Sequence, residues 1–544
     1  MNPRFTLFDR LVWPRLLLMA CIAVLFAACG RTDDVGTISV LNRGLGAEPE
    51  SLDFHKARTI QAGDVQRDIG EGLMGYTATG ELVLAAAQGY QMSDDGLEYT
   101  FALHPDGRWS NGERVTAHDF VYSFRRLVDP DTAAFYAEQS LGTVVNATDI
   151  IAGRKQPGEL GVEAIDDLRL RITLSYPVPY FLALLTHPST FPVHRASVLE
   201  HGDAHARPGN LVSNGAYRLV DWQVGSHIDI ERNEYYRMNA ETDIDRVRHH
   251  VTPEDSVELN RYRAGELDIT ANVPAESFER MRRERPDELR VSPYLAVYFY
   301  GFNMTRAPFS DNTKLRQALS MAIDRETITE NVVGRGETPA YSWVPPGIHN
   351  YEPRRFLYAD LPIQERHQKA RELYREAGYG DDNPLHVEIR YNTADVHRRI
   401  VLAVQSMWRD VLGVEVTPIN EEQQVLLENV RMRQVTQVFR MSWTGDYNDA
   451  HTFLSIMESD NPSNLTGYSN PEYDGLMARA AAQTDPALRQ VYLEEAEKLL
   501  LADTPVIPIY FFVNKNMVSP RVRGWGDNVL NYHYSQHLSL TDSD

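Results

Sequence analysis

Both cysteines of this chain, Cys21 and Cys29, lie within its first 29 residues. The residues after Cys29 therefore contain no disulfide and no thiol, and their fold depends on buried apolar side chains. The chain has 544 residues, whereas single hydrophobic cores stop growing at about 250–300 residues. The sequence therefore predicts two or three domains that are held together without covalent cross-links.

The N-terminal segment has the composition of a targeting sequence. Three arginines lie among the first 15 residues, and an apolar stretch of 13 residues follows over 16–28. This stretch is too short to span a bilayer as a helix, but it suits the apolar region of a secretory signal. We therefore predict a signal peptide over residues 1–28.

Cys29 follows two alanines, and small residues before a cysteine resemble the lipobox of bacterial lipoproteins. Phe26 departs from that pattern, in which an aliphatic residue is usual. Cys21 is an alternative, although its apolar stretch is interrupted. We expect Cys29 to carry the lipid and residues 29–36 to form a tether, so that lipid alone anchors the body to a membrane of the cell envelope.

The chain is strongly acidic, with a formal net charge of −22 at pH 7. Nucleic acids and anionic lipid surfaces attract basic proteins, so this charge argues against both as partners. After residue 28 no stretch approaches the length of a membrane span. The body is therefore expected to be soluble, and the charge maintains that solubility.

Strand-like and helix-like segments alternate along the body, which is typical of an α/β protein. Residues 97–103 alternate in polarity and are rich in strand-forming side chains. Thr116, with Asp119 three positions later, predicts the capped start of a helix. Apolar residues at helical spacing over 400–412 predict another helix.

An acid and a base lie near each other at the end of an apolar strand pattern, Asp446 shortly after Arg440. Such a pair is suited to holding a zwitterion by its two ends. Even fully extended, the chain from 440 to 446 reaches only about 20 Å, so a turn would bring the pair to the length of a short peptide.

Seven segments occur in a fixed order along the chain, at 43–53, 71–76, 109–123, 177–181, 214–217, 316–319 and 505–510. Their order and spacing resemble the bacterial extracellular solute-binding proteins of family 5, which serve peptide importers. The resemblance extends from about residue 38 to the C-terminus and is greatest to the oligopeptide-binding members of that family.

The resemblance implies an α/β fold of the type II periplasmic-binding-protein class, with two lobes, a hinge and an extra inserted domain. The implied boundaries are 37–60, 186–298 and 514–544 for domain I, 61–185 for the inserted domain II, and 299–513 for domain III. Ligand would be enclosed between domains I and III by closure of the hinge.

The resemblance also implies roles for individual residues. Asp446 matches the acid that pairs with the ammonium group of a peptide, and Arg440 matches the base that takes the carboxylate of a tripeptide. His397 matches the group that meets the carboxylate of a longer peptide. Having several such groups at different depths would allow one pocket to accept several peptide lengths.

Two segments match the strands that enclose the backbone of the ligand in this family. Glu48, Pro49 and Glu50 match one strand, and Ser442 and Trp443 match its partner on the opposite side. Pairing through the main chain carries no side-chain information, so it would permit binding without selection of sequence.

Two positions depart from the family pattern. Gln423 stands where an aromatic wall of a side pocket is expected, and Gln139 stands where a tyrosine is expected. Both changes make the pockets more polar, which alters the expected side-chain preference. Muropeptides, which have polar side groups, become more plausible ligands by the same argument.

The resemblance implies a monomeric binding protein that delivers short peptides to a membrane permease driven by cytoplasmic ATPases, without a cofactor. An enzyme is not predicted, because the sequence has neither a His-Glu-x-x-His pair nor a Gly-x-Ser-x-Gly turn. The spacing of His194, His201 and His205 matches no compact metal site. Ligands such as muropeptides, nickel chelates or haem remain alternatives, as does a receptor or adhesin with this fold.

Overall fold

The fold is built on three main β-sheets, seen in a computed structural model that describes residues 38–348, 350–433, 437–445 and 447–541. Contacts divide the chain into Met1–Ser39 and Val40–Asp544, and every helix and strand of the described residues belongs to the second unit. The predicted signal peptide, the tether, Cys29 and Asp446 lie outside the described residues.

The strands are short except for two. They are β1 Val40–Gly46, β2 Met74–Tyr76, β3 Leu82–Leu84, β4 Ala87–Met92, β5 Glu98–Leu103, β6 Val162–Asp166, β7 Arg169–Thr173, β8 Tyr217–Gln223, β9 His227–Arg232, β10 Arg246–Val251, β11 Leu289–Phe302, β12 Thr338–Pro339, β13 His386–Asn392, β14 Glu415–Glu421, β15 Val438–Thr444, β16 Val506–Met517, β17 Val522–Arg523 and β18 Ser539–Leu540.

The α-helices lie mainly between the strands. They are α1 Ile60–Ile69, α2 Ala117–Val128, α3 Ala137–Leu141, α4 Ala147–Ile151, α5 Phe181–Leu184, α6 Arg195–His201, α7 Asp255–Arg263, α8 Phe278–Glu284, α9 Thr313–Met321, α10 Arg325–Thr327, α11 Ile363–Glu376, α12 Asp395–Leu412, α13 Gln423–Met432, α14 His451–Leu454, α15 Pro471–Ala482 and α16 Pro486–Asp503. No helix of the described residues is both long and apolar enough to cross a membrane.

The three main sheets have different strand orders. Strands β1-β10-β9-β8 form a four-stranded sheet, β4-β5-β7-β6 form another, and β12-β16-β11-β15-β13-β14 form a six-stranded sheet. Separate clusters of buried apolar side chains lie against these sheets, so the described residues form several hydrophobic cores. Two of the clusters contain alternate residues of β11, such as Phe299 and Tyr300, so they cover opposite faces of the six-stranded sheet.

Local sequence signals predicted several elements correctly. The strand predicted over 97–103 is β5, and its alternate side chains are buried. The backbone N–H and hydroxyl of Thr116 both donate to Oδ2 of Asp119, at 2.8 and 2.9 Å, at the start of α2. The helix predicted over 400–412 is α12, which begins five residues earlier, at Asp395.

The long strands β11 and β16 pair with each other along most of their length. Leu289 to Pro293 pair with Met517 to Val513, and pairing resumes at Val297 opposite Phe511. The break between Pro293 and Val297 divides the ribbon into two halves. Only the second half joins β15 and β12, so this two-stranded ribbon connects the six-stranded sheet to the rest of the molecule.

Candidate functional site

The candidate site lies at the carboxyl ends of parallel strands in the six-stranded sheet. Strand β13 pairs in parallel with β14 on one side and with β15 on the other. Helix α12 connects β13 to β14, and α13 connects β14 to β15. Because parallel strands end at the same edge of a sheet, the residues that follow them are brought together there, which is where α/β folds commonly bind ligands.

Arg440 lies on β15 opposite Tyr300, and Ser442 lies opposite Tyr298. The guanidinium carbon of Arg440 is 4.5 Å from the centroid of the Tyr298 ring. Its Nη1 donates to Oδ1 of Asn392, the last residue of β13, at 3.1 Å. The side chain of Arg440 is therefore held between two neighbouring strands of the sheet.

Within the described residues, the charge of Arg440 is poorly compensated. The residue is only 8% exposed, and its Nε is buried without a hydrogen-bond partner in the described part of the chain. Among those residues its polar contacts are the Asn392 amide, the Tyr298 hydroxyl and, at 3.5 Å, the Ser442 hydroxyl, and none of these groups is a carboxylate. A buried cation without an anion is unfavourable, so this arrangement is suited to an anionic ligand group.

His397 lies in the first turn of α12, immediately after β13, and is 9% exposed. Its Nδ1 lies 3.3 Å from the hydroxyl of Tyr298, the residue that Arg440 also contacts. Burial, together with the nearby charges of Arg440 and Arg335, lowers the pKa of His397 to about 4. At neutral pH His397 is therefore uncharged, and it would meet a carboxylate as a hydrogen-bond donor.

Trp443 lies on the opposite face of β15 from Arg440 and Ser442, since side chains alternate along a strand. Its indole N–H donates to the backbone oxygen of Thr452 at 2.9 Å, and the ring is half-buried. A cavity of about 200 Å³ adjoins it, lined among others by Phe299, Met441 and Arg431. This cavity could accept a ligand side chain next to the strand.

Glu48, Pro49 and Glu50 follow β1 without joining any sheet of the described residues. The Glu48 carboxylate accepts from the Trp222 indole and from the backbone N–H of Gly225. The Glu50 carboxylate accepts from the backbone N–H groups and the hydroxyl at the start of α1. Both carboxylates are thus used within the protein, and a ligand would meet this segment through its backbone.

Asp446 lies outside the described residues, and the contacts of Gly445, Tyr447 and Asp449 are as follows. Gly445 donates its N–H to the backbone oxygen of Leu295 in β11, at 2.8 Å. The ring of Tyr447 stacks on Tyr180, with centroids 4.4 Å apart and an interplanar angle of 7°. Asp449 accepts two hydrogen bonds from Arg489 at 2.8 Å.

Sequence reasoning did not single out Tyr298, Asn392 or Arg335 as parts of this site. Asn392 stands in the same segment as His397, five positions before it, and this proximity in the chain was a usable signal. Tyr298 and Arg335 lie more than 60 residues before His397 in the chain, and only the folded sheet brings them close to it.

The histidines of the segment 194–205 have separate roles. His194 contacts Glu113 at 2.8 Å, and His205 contacts Asp53 at 3.1 Å. Within the described ranges no three potential ligands converge as a metal site. Gln139 on α3 and Gln423 on α13 both have exposed side chains.

Comparison with known proteins identifies the family. The family model for bacterial extracellular solute-binding proteins, family 5, matches residues 81–464. The periplasmic oligopeptide-binding protein OppA of Salmonella typhimurium is 40% identical over 506 residues, which cover 92% of each chain. The periplasmic murein peptide-binding protein MppA of Escherichia coli is 36% identical over 489 residues, 90% of each chain.

Solved structures confirm the fold predicted from the sequence. The unliganded open form of an MppA murein tripeptide-binding protein has a TM-score of 0.89 at 35% identity, covering 93% of this chain and 98% of that one. Haemophilus influenzae OppA in complex with the peptide RPPGFSPFR has a TM-score of 0.68 at 37% identity, covering 93% and 99%. The described structure is thus more similar to the unliganded open form than to this peptide complex.

The boundaries of the three domains and the roles of the individual site residues stay predictions. The resemblance itself is confirmed by the family model and by relatives that match over nearly the whole chain. The chain belongs to the bacterial extracellular solute-binding proteins of family 5.

Proposed function

We propose that this protein binds short peptides outside the cytoplasm and delivers them to the permease of an importer driven by ATP hydrolysis. The peptide would lie across the carboxyl edge of the six-stranded sheet. Its carboxylate would meet Arg440, with His397 as a hydrogen-bond donor, and its ammonium group would meet Asp446. Its backbone would pair with Ser442 and Trp443 on one side and with 48–50 on the other.

The observation that carries this proposal is that no carboxylate of the described residues pairs with the buried guanidinium of Arg440. A buried guanidinium whose described partners are an amide, a hydroxyl and an aromatic ring needs an anion, and a peptide carboxylate supplies one. The named relatives support a peptide as the ligand, since they are oligopeptide- and murein peptide-binding proteins. Enzymatic activity is not part of the proposal.

A murein peptide is a second candidate ligand. The open murein tripeptide-binding protein superposes well on this chain, and the side chains of Gln139 and Gln423 are polar and exposed. The two candidates share a carboxylate and a backbone, so they would use the same edge of the sheet. Titration with each ligand in turn distinguishes them.

A periplasmic location follows from the same comparison, because several relatives are named as periplasmic proteins. We propose further that Cys29 carries a lipid after removal of residues 1–28. Mass spectrometry of the protein purified from membranes would test this point. A Cys29→Ser variant should be released in soluble form, and a variant that stays with the membrane would contradict the assignment.

The test of function is calorimetric titration of residues 30–544, unfolded and refolded to remove co-purified ligand. Tri- and tetrapeptides would be compared with their N-acetylated and C-amidated forms and with a murein tripeptide. We expect micromolar or tighter binding of the unmodified peptides. Removing one partner of an enclosed charge pair costs about 2–5 kcal/mol, so each blocked terminus should weaken binding by about 30-fold or more.

Two variants test which charged residue binds each end of the peptide. Asp446→Ala should abolish the preference for a free amino end, and Arg440→Ala should abolish the preference for a free carboxyl end of tripeptides. Binding that is indifferent to both blocked termini would contradict the peptide assignment. Absence of heat with every ligand would favour a different ligand or a receptor role.

A further inference from the structure

Arg335 brings a second guanidinium to the carboxylate end of the candidate site. It lies in the segment 334–337, which leads directly into β12. Strand β12 pairs with β16, with Pro339 opposite Tyr510, and the ring of Tyr510 stacks on Tyr298 with centroids 4.7 Å apart. The charge of Arg335 acts on both Tyr510 and His397, so its guanidinium lies near this tyrosine pair.

The position of this segment is fixed by close packing. Gly336 has φ +88°, and a Cβ atom there would lie 2.9 Å from the Phe278 ring and 3.3 Å from Val291. A larger residue is therefore disfavoured both by backbone conformation and by space. The segment that carries Arg335 is thus held against the two-stranded ribbon of β11 and β16.

The charges around this segment do not balance. Lys515 on β16 and Glu337 form an ion pair at 3.0 Å, with side-chain exposures of 10% and 2%. The Nε of Arg335 is 3.6 Å from the same Glu337 oxygen, beyond hydrogen-bond distance, and it is buried without a partner in the described chain.

The charged side chains around this segment and Arg440 carry an excess of positive charge. Lys515, Arg335 and Arg440 are cations, and among the described residues around them Glu337 is the carboxylate within ion-pair distance. His397 adds no charge at neutral pH, because its pKa is lowered to about 4. Since Glu337 and Lys515 neutralise each other, two guanidinium groups remain.

We propose that the site prefers peptides whose carboxyl end carries two negative charges, an α-carboxylate and an acidic side chain on the last residue. Arg440 binds one carboxylate and Arg335 the other, which makes Arg335 a specificity-determining residue. This inference rests on the proposed function and names the substrate class of the same site. A single carboxylate would leave one of these two guanidinium groups without a ligand anion, either that of Arg440, which is 8% exposed, or that of Arg335, whose side chain is 29% exposed.

The test compares two tripeptides of equal length and nearly equal shape, Ala-Ala-Glu and Ala-Ala-Gln, by calorimetric titration at neutral pH. A hydrogen bond to a charged group contributes about 1.5–3 kcal/mol, so the unmodified protein should bind Ala-Ala-Glu about tenfold more tightly or better. Arg335→Gln should reduce this preference to about twofold or less, and Arg335→Glu should reverse it.

Arg409→Gln is the matched control. It removes the same charge from an exposed position on α12, about 18 Å along the helix from His397, and should keep the full preference. Equal binding of the two tripeptides by the unmodified protein would overturn the inference, as would a preference that survives Arg335→Gln. If the unmodified protein bound free and C-amidated peptides equally well, this result would contradict the proposed function itself, and the inference with it.

Discussion

The guanidinium of Arg440 lies over the ring of Tyr298, with its central carbon 4.5 Å from the ring centroid. This relationship joins the strand that carries the candidate ligand-binding residues to the ribbon that connects the sheet to the rest of the molecule. Tyr298 also meets the imidazole of His397 and stacks on Tyr510. One buried tyrosine therefore fixes the relative positions of Arg440 and His397, the two residues that the resemblance to family 5 predicts to bind a carboxylate.

Arg440→Gln should separate a binding role from a structural one. Because the guanidinium has no carboxylate partner in the described chain, the substitution should leave the unfolding free energy of the empty protein unchanged or raised, within about 1 kcal/mol. Tripeptide affinity should fall by about 30-fold or more, since the ligand carboxylate loses its cation. Chemical denaturation and calorimetric titration measure the two effects.

Arg325→Gln is the contrasting variant. Arg325 is fully buried but donates to the backbone oxygens of Pro508 and Ser320, so its charge is well solvated. Its loss should lower the unfolding free energy by about 3 kcal/mol or more, because the carbonyls lose their donors. If Arg440→Gln destabilised the protein as much as Arg325→Gln, the binding assignment of Arg440 would be weakened.

His397→Gln should change the pH dependence of stability in one direction. The pKa of His397 is about 4 in the folded protein, below the ordinary value of 6.5. As the pH falls, the unfolded chain is therefore protonated at this histidine before the folded protein is. The stability that the neutral His397 contributes is complete above pH 6.5 and is lost as the pH falls toward 4. The unfolding free energy of the unmodified protein relative to the variant should rise with pH across that window, by at most about 3 kcal/mol.

Urea denaturation at several pH values would measure this difference. Above pH 7 the difference should be constant, because His397 is then neutral in both states. The peptide affinity of the unmodified protein should show no transition near pH 6.5 that is missing from His397→Gln. Such a transition would mean that His397 is charged in the folded protein and acts as a cation.

Asp53→Asn should be strongly destabilising. Asp53 is 3% exposed and accepts from Arg126 of α2 at 2.7 and 3.0 Å, while His205 lies 3.1 Å away. These contacts lower the pKa of Asp53 well below its usual range. Breaking a buried ion pair leaves an uncompensated charge and costs about 3–5 kcal/mol.

The nearby pair Lys56–Asp203 provides the control. Its nitrogen and oxygen are 2.7 Å apart, but the Asp203 side chain is 88% exposed. Asp203→Asn should therefore change the unfolding free energy by about 0–1 kcal/mol, as surface ion pairs do. Thermal or denaturant unfolding measures both variants. Equal losses of unfolding free energy in Asp53→Asn and Asp203→Asn would show that burial does not determine the contribution of Asp53.

Gly445→Ala should disturb the end of β15. An added Cβ would lie 2.7 Å from the side chain of Leu295 and 2.9 Å from that of Phe453, so the strand end must shift. We expect a loss of about 1–3 kcal/mol of stability from overpacking, together with weaker peptide binding at the adjoining residues. Gly475→Ala on α15, with open space around it, should instead stabilise by about 0.5–1 kcal/mol. The same denaturation and titration measurements apply to both, and a neutral Gly445→Ala would contradict the close packing.

The sequence by itself determined the family, the alternation of helices and strands, and several element boundaries. The Thr116–Asp119 cap and the strand β5 depend on residues within a few positions of one another, so their patterns are visible in the chain. It also determined which side chains were candidates, because a charge pair such as Arg440 and Asp446 is recognisable from chemistry and from its segment.

Only the tertiary structure decided how these candidates are arranged and charged. Tyr298 and His397 are 99 positions apart, yet their side chains meet because β11, β15 and β13 are neighbours in one sheet. That burial makes His397 neutral, and the same packing brings Arg335 to the site. Burial and electrostatic environment depend on residues distant in sequence, and therefore on the folded sheet and not on local pattern.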